Sequence, residues 1–153
     1  MAKLGIFTFF TGAGFLDLGF EKAGFESLFA NEIIPEFCHV YKYSRYKLNL
    51  SLPKYGLREL DVAFYGNMAT NDDVLFPNKK LLQEKQYLTD SLNEARKNFD
   101  LVGFIGGPPC PDFSVAGKNK GAEGKHGRLS QLYMDIICRE KPDFFVFENV
   151  KGL

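Results

Sequence analysis

The chain contains no tryptophan, and its aromatic content rests on 16 phenylalanines and 7 tyrosines. It also lacks any excess of one charge. Nineteen basic residues offset nineteen acidic ones, so no overall basic field draws in nucleic acid, and such contact must come from a local patch or a partner. Three widely spaced cysteines form no disulfide framework and no Cys-x-x-Cys metal signature. That usage points to a reducing, cytoplasmic compartment and to no bound metal. No apolar run is long enough to span a membrane, and Lys3 is followed by a strand-like run rather than by a leader and cleavage site. There is no internal repeat and no low-complexity segment.

What remains is a 153-residue chain, long enough for one domain with a core of its own. Apolar β-rich runs alternate with stretches of helical period. Strands are predicted at Leu4–Phe10, Ser27–Ile33, Asp61–Tyr65, Asp100–Ile105 and Asp143–Phe147. Helices are predicted over Phe15–Ala23, from Pro35 through Tyr41, over Lys79–Asn98 and over Leu129–Lys141. Leu48–Glu59 and Asn67–Asn78 read as loops, and Gly117–Gly127 as a mobile loop rich in Gly and Lys. Strands alternating with helices predict an α/β fold with a parallel sheet and right-handed crossovers. The nearly continuous apolar strands predict helices on both faces.

Three places carry chemistry. Gly12-x-Gly14 after the first strand makes a tight turn that lets backbone approach a ligand. A dinucleotide fingerprint wants a third glycine three residues later, and Asp17 stands there, which argues against a pyrophosphate cradle. Glu32 ends the second strand, where an acid accepts from ribose hydroxyls or merely caps the strand. The fourth strand ends in Gly106-Gly107-Pro108-Pro109-Cys110-Pro111. This run cannot continue as helix or ladder, so a thiol is delivered at the carboxyl end of the strand, where open parallel sheets bind ligands. Cys38 and Cys138 lie in helical patterns and read as structural. Phe144–Phe147 leads into Glu148-Asn149-Val150, and neighbouring strands would bring Glu148 near Cys110. A carboxylate discourages a nearby thiolate, so Glu148 makes sense as a group serving the substrate, or else as a surface acid.

Taken together these residues resemble the DNA (cytosine-5) methyltransferase family. Phe10-Thr11-Gly12-Ala13-Gly14 looks like its first motif, Asn31-Glu32-Ile33 its second, Gly107-Pro108-Pro109-Cys110 its catalytic motif and Glu148-Asn149-Val150 its glutamate motif. The resemblance implies a Rossmann-like S-adenosylmethionine-dependent methyltransferase fold, with a partial parallel sheet lacking the last strands. It implies S-adenosyl-L-methionine as methyl donor and S-adenosyl-L-homocysteine as product. Phe10, Thr11, Gly12, Ala13, Gly14, Glu32, Ile33, Asn67, Met68 and Leu129 would then form the cofactor pocket. Cys110 would attack C6 of a flipped-out cytosine and Glu148 would hold its N3 and N4 edge. Pro109, Ser114, Lys118, Arg128 and Asn149 would face the DNA of a restriction-modification system.

The chain departs from the family pattern at Phe15, where a glycine is frequent, and at Pro111-Asp112 after the cysteine. It departs again at Asn67, where an aspartate usually meets the adenine amino group; Asp72 or Asp73 could substitute. It stops just after Glu148-Asn149-Val150. The resemblance therefore implies that residues 1–153 are the amino-terminal part of the catalytic domain, without the target recognition domain. The implied partners are double-stranded DNA and a complementing carboxy-terminal polypeptide. Other readings are a cofactor-binding fragment without turnover, an RNA cytosine-5 methyltransferase, and a nicotinamide-dependent oxidoreductase, which the absent third glycine disfavours.

Overall fold

The computed structural model describes residues 2–62, 65, 79–109 and 127–149, with 127 and 128 given by their backbone alone. Five parallel strands form one sheet. The two central ones, β1 (Leu4–Phe9) and β4 (Leu101–Gly106), are buried at all but their first residue. They pair from Leu4↔Leu101 to Phe9↔Gly106. β2 (Phe25–Asn31) lies on the other side of β1, from Leu4↔Phe25 to Phe9↔Asn31. β3 (Leu57–Arg58) pairs outside β2, and β5 (Phe144–Phe147) outside β4. The order is β3-β2-β1-β4-β5. Winding proceeds outward from β1 to β3 and then restarts at β4, so the direction reverses between β1 and β4. In such sheets that reversal opens a crevice at the carboxyl ends.

Side-chain alternation gives the sheet two different faces. Phe7, Phe9, Phe29 and Phe104 stack on one face, with ring centroids 5.2–5.7 Å apart among them. Phenylalanine thus fills the place a tryptophan-free core must fill. α3 (Lys79–Asn98) adds Leu88, Leu92 and Ala95 to this cluster, and α4 (Gly127–Glu140) adds Leu132, Tyr133, Ile136 and Ile137. On the other face Thr8 is bound to Asp17 of α1 (Phe15–Lys22). α2 (Pro35–Lys47) is tied to α1 by a two-pronged ion pair from Arg45 to Glu21. Pro35 occupies the first turn of α2, where its lost N–H costs nothing. Among the described residues no helix is long and apolar enough to cross a membrane.

The third strand predicted at Asp61–Tyr65 does not form at its described residues, Asp61, Val62 and Tyr65. Pairing falls at Leu57–Arg58, within the segment expected to be loop. The cause lies in β2, whose Asn31 side-chain amide donates to the carbonyls of Arg58 and Leu60. That contact anchors the chain beside β2 and turns it off the ladder after Arg58. The apolar Val62 and Tyr65 enter the core cluster from outside the sheet. The second strand likewise stops at Asn31, leaving Glu32 and Ile33 beyond its end.

Candidate active site

The site is assembled from the carboxyl ends of three strands. After β1, Phe10 takes a left-handed backbone, φ 54°. For a bulky side chain this costs about 1–3 kcal/mol and persists only where surrounding contacts hold it. Thr11 N–H donates to the Asn31 carbonyl at 3.0 Å, and Gly14 N–H closes a turn on the Thr11 carbonyl at 2.9 Å. Gly14 has φ 87°, and a Cβ there would lie 2.7 Å from the Tyr41 ring, so only glycine fits both the turn and the packing of α2.

Glu32 follows β2 and is buried. Its Oε2 accepts from Gly12 N–H at 2.8 Å, and its Oε1 accepts from both Ile33 and Ile34 N–H at 2.9 Å. One carboxylate thus ties the glycine turn to the chain leaving β2. A carboxylate offers about four lone-pair sites; three are taken by backbone, and the remaining capacity is on Oε2.

Between these segments lies a cavity of about 350 Å³. Phe10 and Gly12 line it from β1, Asn31 to Ile34 from β2, Phe37 from α2, Gly107 and Pro109 from β4, and Leu129 from α4. Leu60, Asp61 and Val62 close the side beyond β3. The described lining holds two carboxylates, Glu32 and Asp61, amid apolar walls, and no lysine or arginine. The described lining therefore offers hydrogen-bond acceptors and apolar surface rather than basic partners for a phosphate.

Glu148 emerges from β5 beside the turn that ends β4. Its N–H donates to the Gly106 carbonyl at 2.9 Å, and its carboxylate lies over Gly107. A Cβ added to Gly107 would meet Glu148 Oε2 at 2.7 Å. The absent side chain at Gly107 therefore leaves room for the acid, three residues before Cys110.

Of the residues singled out from sequence, Phe10, Gly12, Glu32, Ile33, Leu129 and Pro109 meet in the cavity. Thr11 and Gly14 stand behind its wall, Thr11 bound to Asp17 and Gly14 packed on Tyr41. Ala13 lies in the turn between them and does not line the cavity. Glu148 and Asn149 lie at the β5 end, and Arg128 starts α4 with only its backbone described. Cys110, Asn67, Met68, Ser114, Lys118 and the Gly- and Lys-rich loop up to His126 lie outside the described residues, as do Asp72 and Asp73.

Sequence reasoning missed Asp61, because it placed that residue at the start of a strand. With β3 at Leu57–Arg58, Asp61 comes beyond the strand's carboxyl end, the position that made Glu32 conspicuous. Asp17 was also missed as a structural centre. Among the described residues no group of three or more His, Cys, Asp and Glu side chains could hold a metal ion.

Comparison with known proteins agrees with this architecture. The solved structure of a prophage-encoded E. coli protein, described as a DNA modification methyltransferase, superposes with a TM-score of 0.60 at 23% identity. It covers 98% of this chain and 33% of its own, and it supports the Rossmann-like fold. The Type II methyltransferase M.NmeDI of Neisseria meningitidis serogroup C is 52% identical over 148 residues, 97% of this chain and 32% of the relative. M.MthTI of Methanothermobacter thermautotrophicus is 33% identical over 151 residues, 99% of this chain and 35% of the relative. The chain thus spans about a third of the length of these relatives. Residues 4–51 and 75–153 match the family model of the C-5 cytosine-specific DNA methylases, and the chain belongs to that family.

Proposed function

We propose that this chain binds S-adenosyl-L-methionine in the crevice between β1, β2 and β4 and supplies the nucleophile and the base-holding acid of a DNA cytosine-5 methyltransferase. The observation that carries the reading is the placement of two acids. Glu32 sits in a cavity with no described basic residue, and Glu148 lies over Gly107, which precedes Pro108-Pro109-Cys110 in the sequence.

Glu32 offers its remaining lone pair on Oε2 to a ribose hydroxyl. Ile33, Phe37 and Leu129 provide apolar surface for the base, and Asp61, on the same wall, is the acceptor for an exocyclic amine that the sequence had sought at Asn67. The cofactor supplies an electrophilic methyl group. Cys110 adds as thiolate to C6 of a cytosine taken out of the duplex. Glu148 holds the N3 and N4 edge and shares a proton with N3, so the electron pair displaced by the sulfur is carried toward C5. Once C5 is methylated, its proton leaves, the C5–C6 double bond re-forms and the thiolate is expelled. Pro109, Ser114, Lys118, Arg128 and Asn149 are assigned to the DNA side. Because the chain spans a third of its relatives' length, we assign target recognition to sequence outside residues 1–153, on the same protein or on a complementing polypeptide. Duplex DNA is the substrate of this reading.

The test uses the full protein with that polypeptide and a duplex containing 5-fluorocytosine, which stops the reaction at the covalent stage. The native protein is expected to form a stable adduct. Cys110→Ala is expected to form none while binding S-adenosyl-L-homocysteine within about threefold of native, since the thiol attacks the base and leaves the cofactor contacts intact. The same adduct with the alanine variant would show that another residue is the nucleophile. Preferential adduct formation with transfer RNA in competition would move the substrate to RNA.

A further inference from the structure

We infer that Asp17 is the positioning residue of the cofactor loop, a carboxyl clamp that holds Phe10 in its left-handed conformation and so shapes the pocket. The inference rests on the cofactor reading above, but its geometry is independent of it. Asp17 is fully buried and lies outside the pocket lining. Its Oδ1 accepts from the Thr8 hydroxyl at 2.6 Å and its Oδ2 from the Thr11 hydroxyl at 2.5 Å. Thr8 and Thr11 flank Phe9 and Phe10, so one carboxyl group grips the chain on both sides of the strained residue. The Ser27 hydroxyl, 3.4 Å from Oδ1, ties the same group to β2.

The consequence reaches the pocket through two routes. Phe10 with φ 54° presents its ring edge-on to Tyr133, centroids 6.0 Å apart at 89°, and lines the cavity. Thr11, held by Asp17, is followed by Gly12, whose N–H reaches Glu32. Without the clamp, Phe10 relaxes to a negative φ, its ring leaves the wall, and the Gly12–Glu32 contact shifts with it. A polar group with no solvent contact is costly unless fully used, and here its acceptors are spent on Thr8, Thr11 and Ser27.

The experiment measures S-adenosyl-L-homocysteine affinity by calorimetry, and thermal unfolding, on the full protein. Asp17→Ala is expected to bind about tenfold more weakly, the equivalent of one lost hydrogen bond to a charged group. Asp17→Asn is expected within about threefold of native, because its amide can accept from one hydroxyl and donate to the other. In a Phe10→Gly background Asp17→Ala is expected to cost little more, since glycine takes positive φ without help. In a Leu129→Ala background the full loss is expected to persist. Equal losses in both backgrounds, or unchanged affinity with only a lower unfolding temperature, would overturn the clamp. If Asp17→Ala does not fold, Thr11→Val removes one arm while keeping shape and is judged by the same cycle. If native protein does not bind the ligand, the cofactor reading fails. The clamp is then decided by unfolding alone: coupling between Asp17 and Phe10 sustains it, and additivity refutes it.

Discussion

Glu32 does two jobs with one carboxylate, and substitution separates them. It accepts three backbone N–H groups, from Gly12, Ile33 and Ile34, and in the proposed complex it also accepts a ribose hydroxyl. Glu32→Ala is expected to weaken S-adenosyl-L-methionine and S-adenosyl-L-homocysteine alike, by about 10- to 100-fold for a lost bond to a charged group. It should also release the three amides, so their hydrogen exchange should accelerate even without ligand. Calorimetry and exchange read the two effects independently, and unchanged affinity would remove Glu32 from the site. Asp17 makes a prediction in pH. Burial pushes its carboxyl above the ordinary value of 3.8, against the opposing pull of the Thr11 and Thr8 hydroxyls and the Arg45 charge. Tyr41 and Arg45 face it from α2, and Glu21 of α1 pairs with that arginine. A raised folded pKa means that the fold binds this proton more tightly than the unfolded chain does. Its contribution is complete below the ordinary value and is lost as pH rises through the folded one. Asp17→Asn cannot ionise. The unfolding temperature of native protein should therefore fall relative to that variant as pH rises from the ordinary value of 3.8 through the raised folded one. A difference independent of pH would mean that the carboxyl titrates normally.

At the scale of elements, Gly103 within β4 and Gly107 just beyond it make room for neighbours from β5. Phe144 lies where a Cβ on Gly103 would be, 2.1 Å from its ring, and Glu148 where one on Gly107 would be. The Gly107 case is the informative one, because the atom in the way is the far end of a flexible side chain. Gly107→Ala is expected to leave the unfolding temperature and the cofactor affinity nearly native. Methyl transfer should fall about 10²-fold or more, as when a preorganised electrostatic group is moved off its target. Single-turnover methylation beside a thermal melt checks this, and native turnover would show that Glu148 does not act from that position. These elements also mark how far the sequence could be read. β1, β4 and α3 were legible because a buried strand and an amphipathic helix write their period directly into the residue order. β3 was not, because its two residues carry no period and owe their place to the Asn31 amide, 27 residues away from Arg58 in sequence. The apolar run at Asp61–Tyr65 is real, but its Val62 and Tyr65 side chains fill the core from outside the ladder. In the site, Glu32 and Glu148 stood out because acids at strand ends are conspicuous. Asp17 did not, because its partners Thr8, Thr11 and Ser27 come from three separate segments and are joined only by the fold.

For the whole molecule, the decisive feature is that β5 is the outermost strand on its side of the sheet among the described residues. Among the described residues nothing pairs with the outer edge of Phe144–Phe147, and Phe145 remains 49% exposed. No lysine or proline guards the run, so it offers unpaired N–H and C=O groups together with apolar side chains, the combination that recruits another strand. The adjoining face is equally unguarded. Phe144 packs edge-on against Phe25, which packs on Phe20 of α1, and Phe15 at the start of α1 is 81% exposed. An apolar path therefore runs from α1 across the sheet to the β5 edge. The residues 1–153 alone are expected to self-associate in sedimentation in a concentration-dependent way, and Phe145→Lys should shift them toward monomer, because an edge charge opposes strand addition. Adding the complementing polypeptide should suppress self-association of the native sequence and slow amide exchange in β5. Glu148 follows this strand directly, so covering the edge also steadies the acid over Gly107, coupling assembly to the completion of the active site. A monomer at high concentration, with β5 amides already protected, would break that coupling and show that the edge is satisfied within the chain.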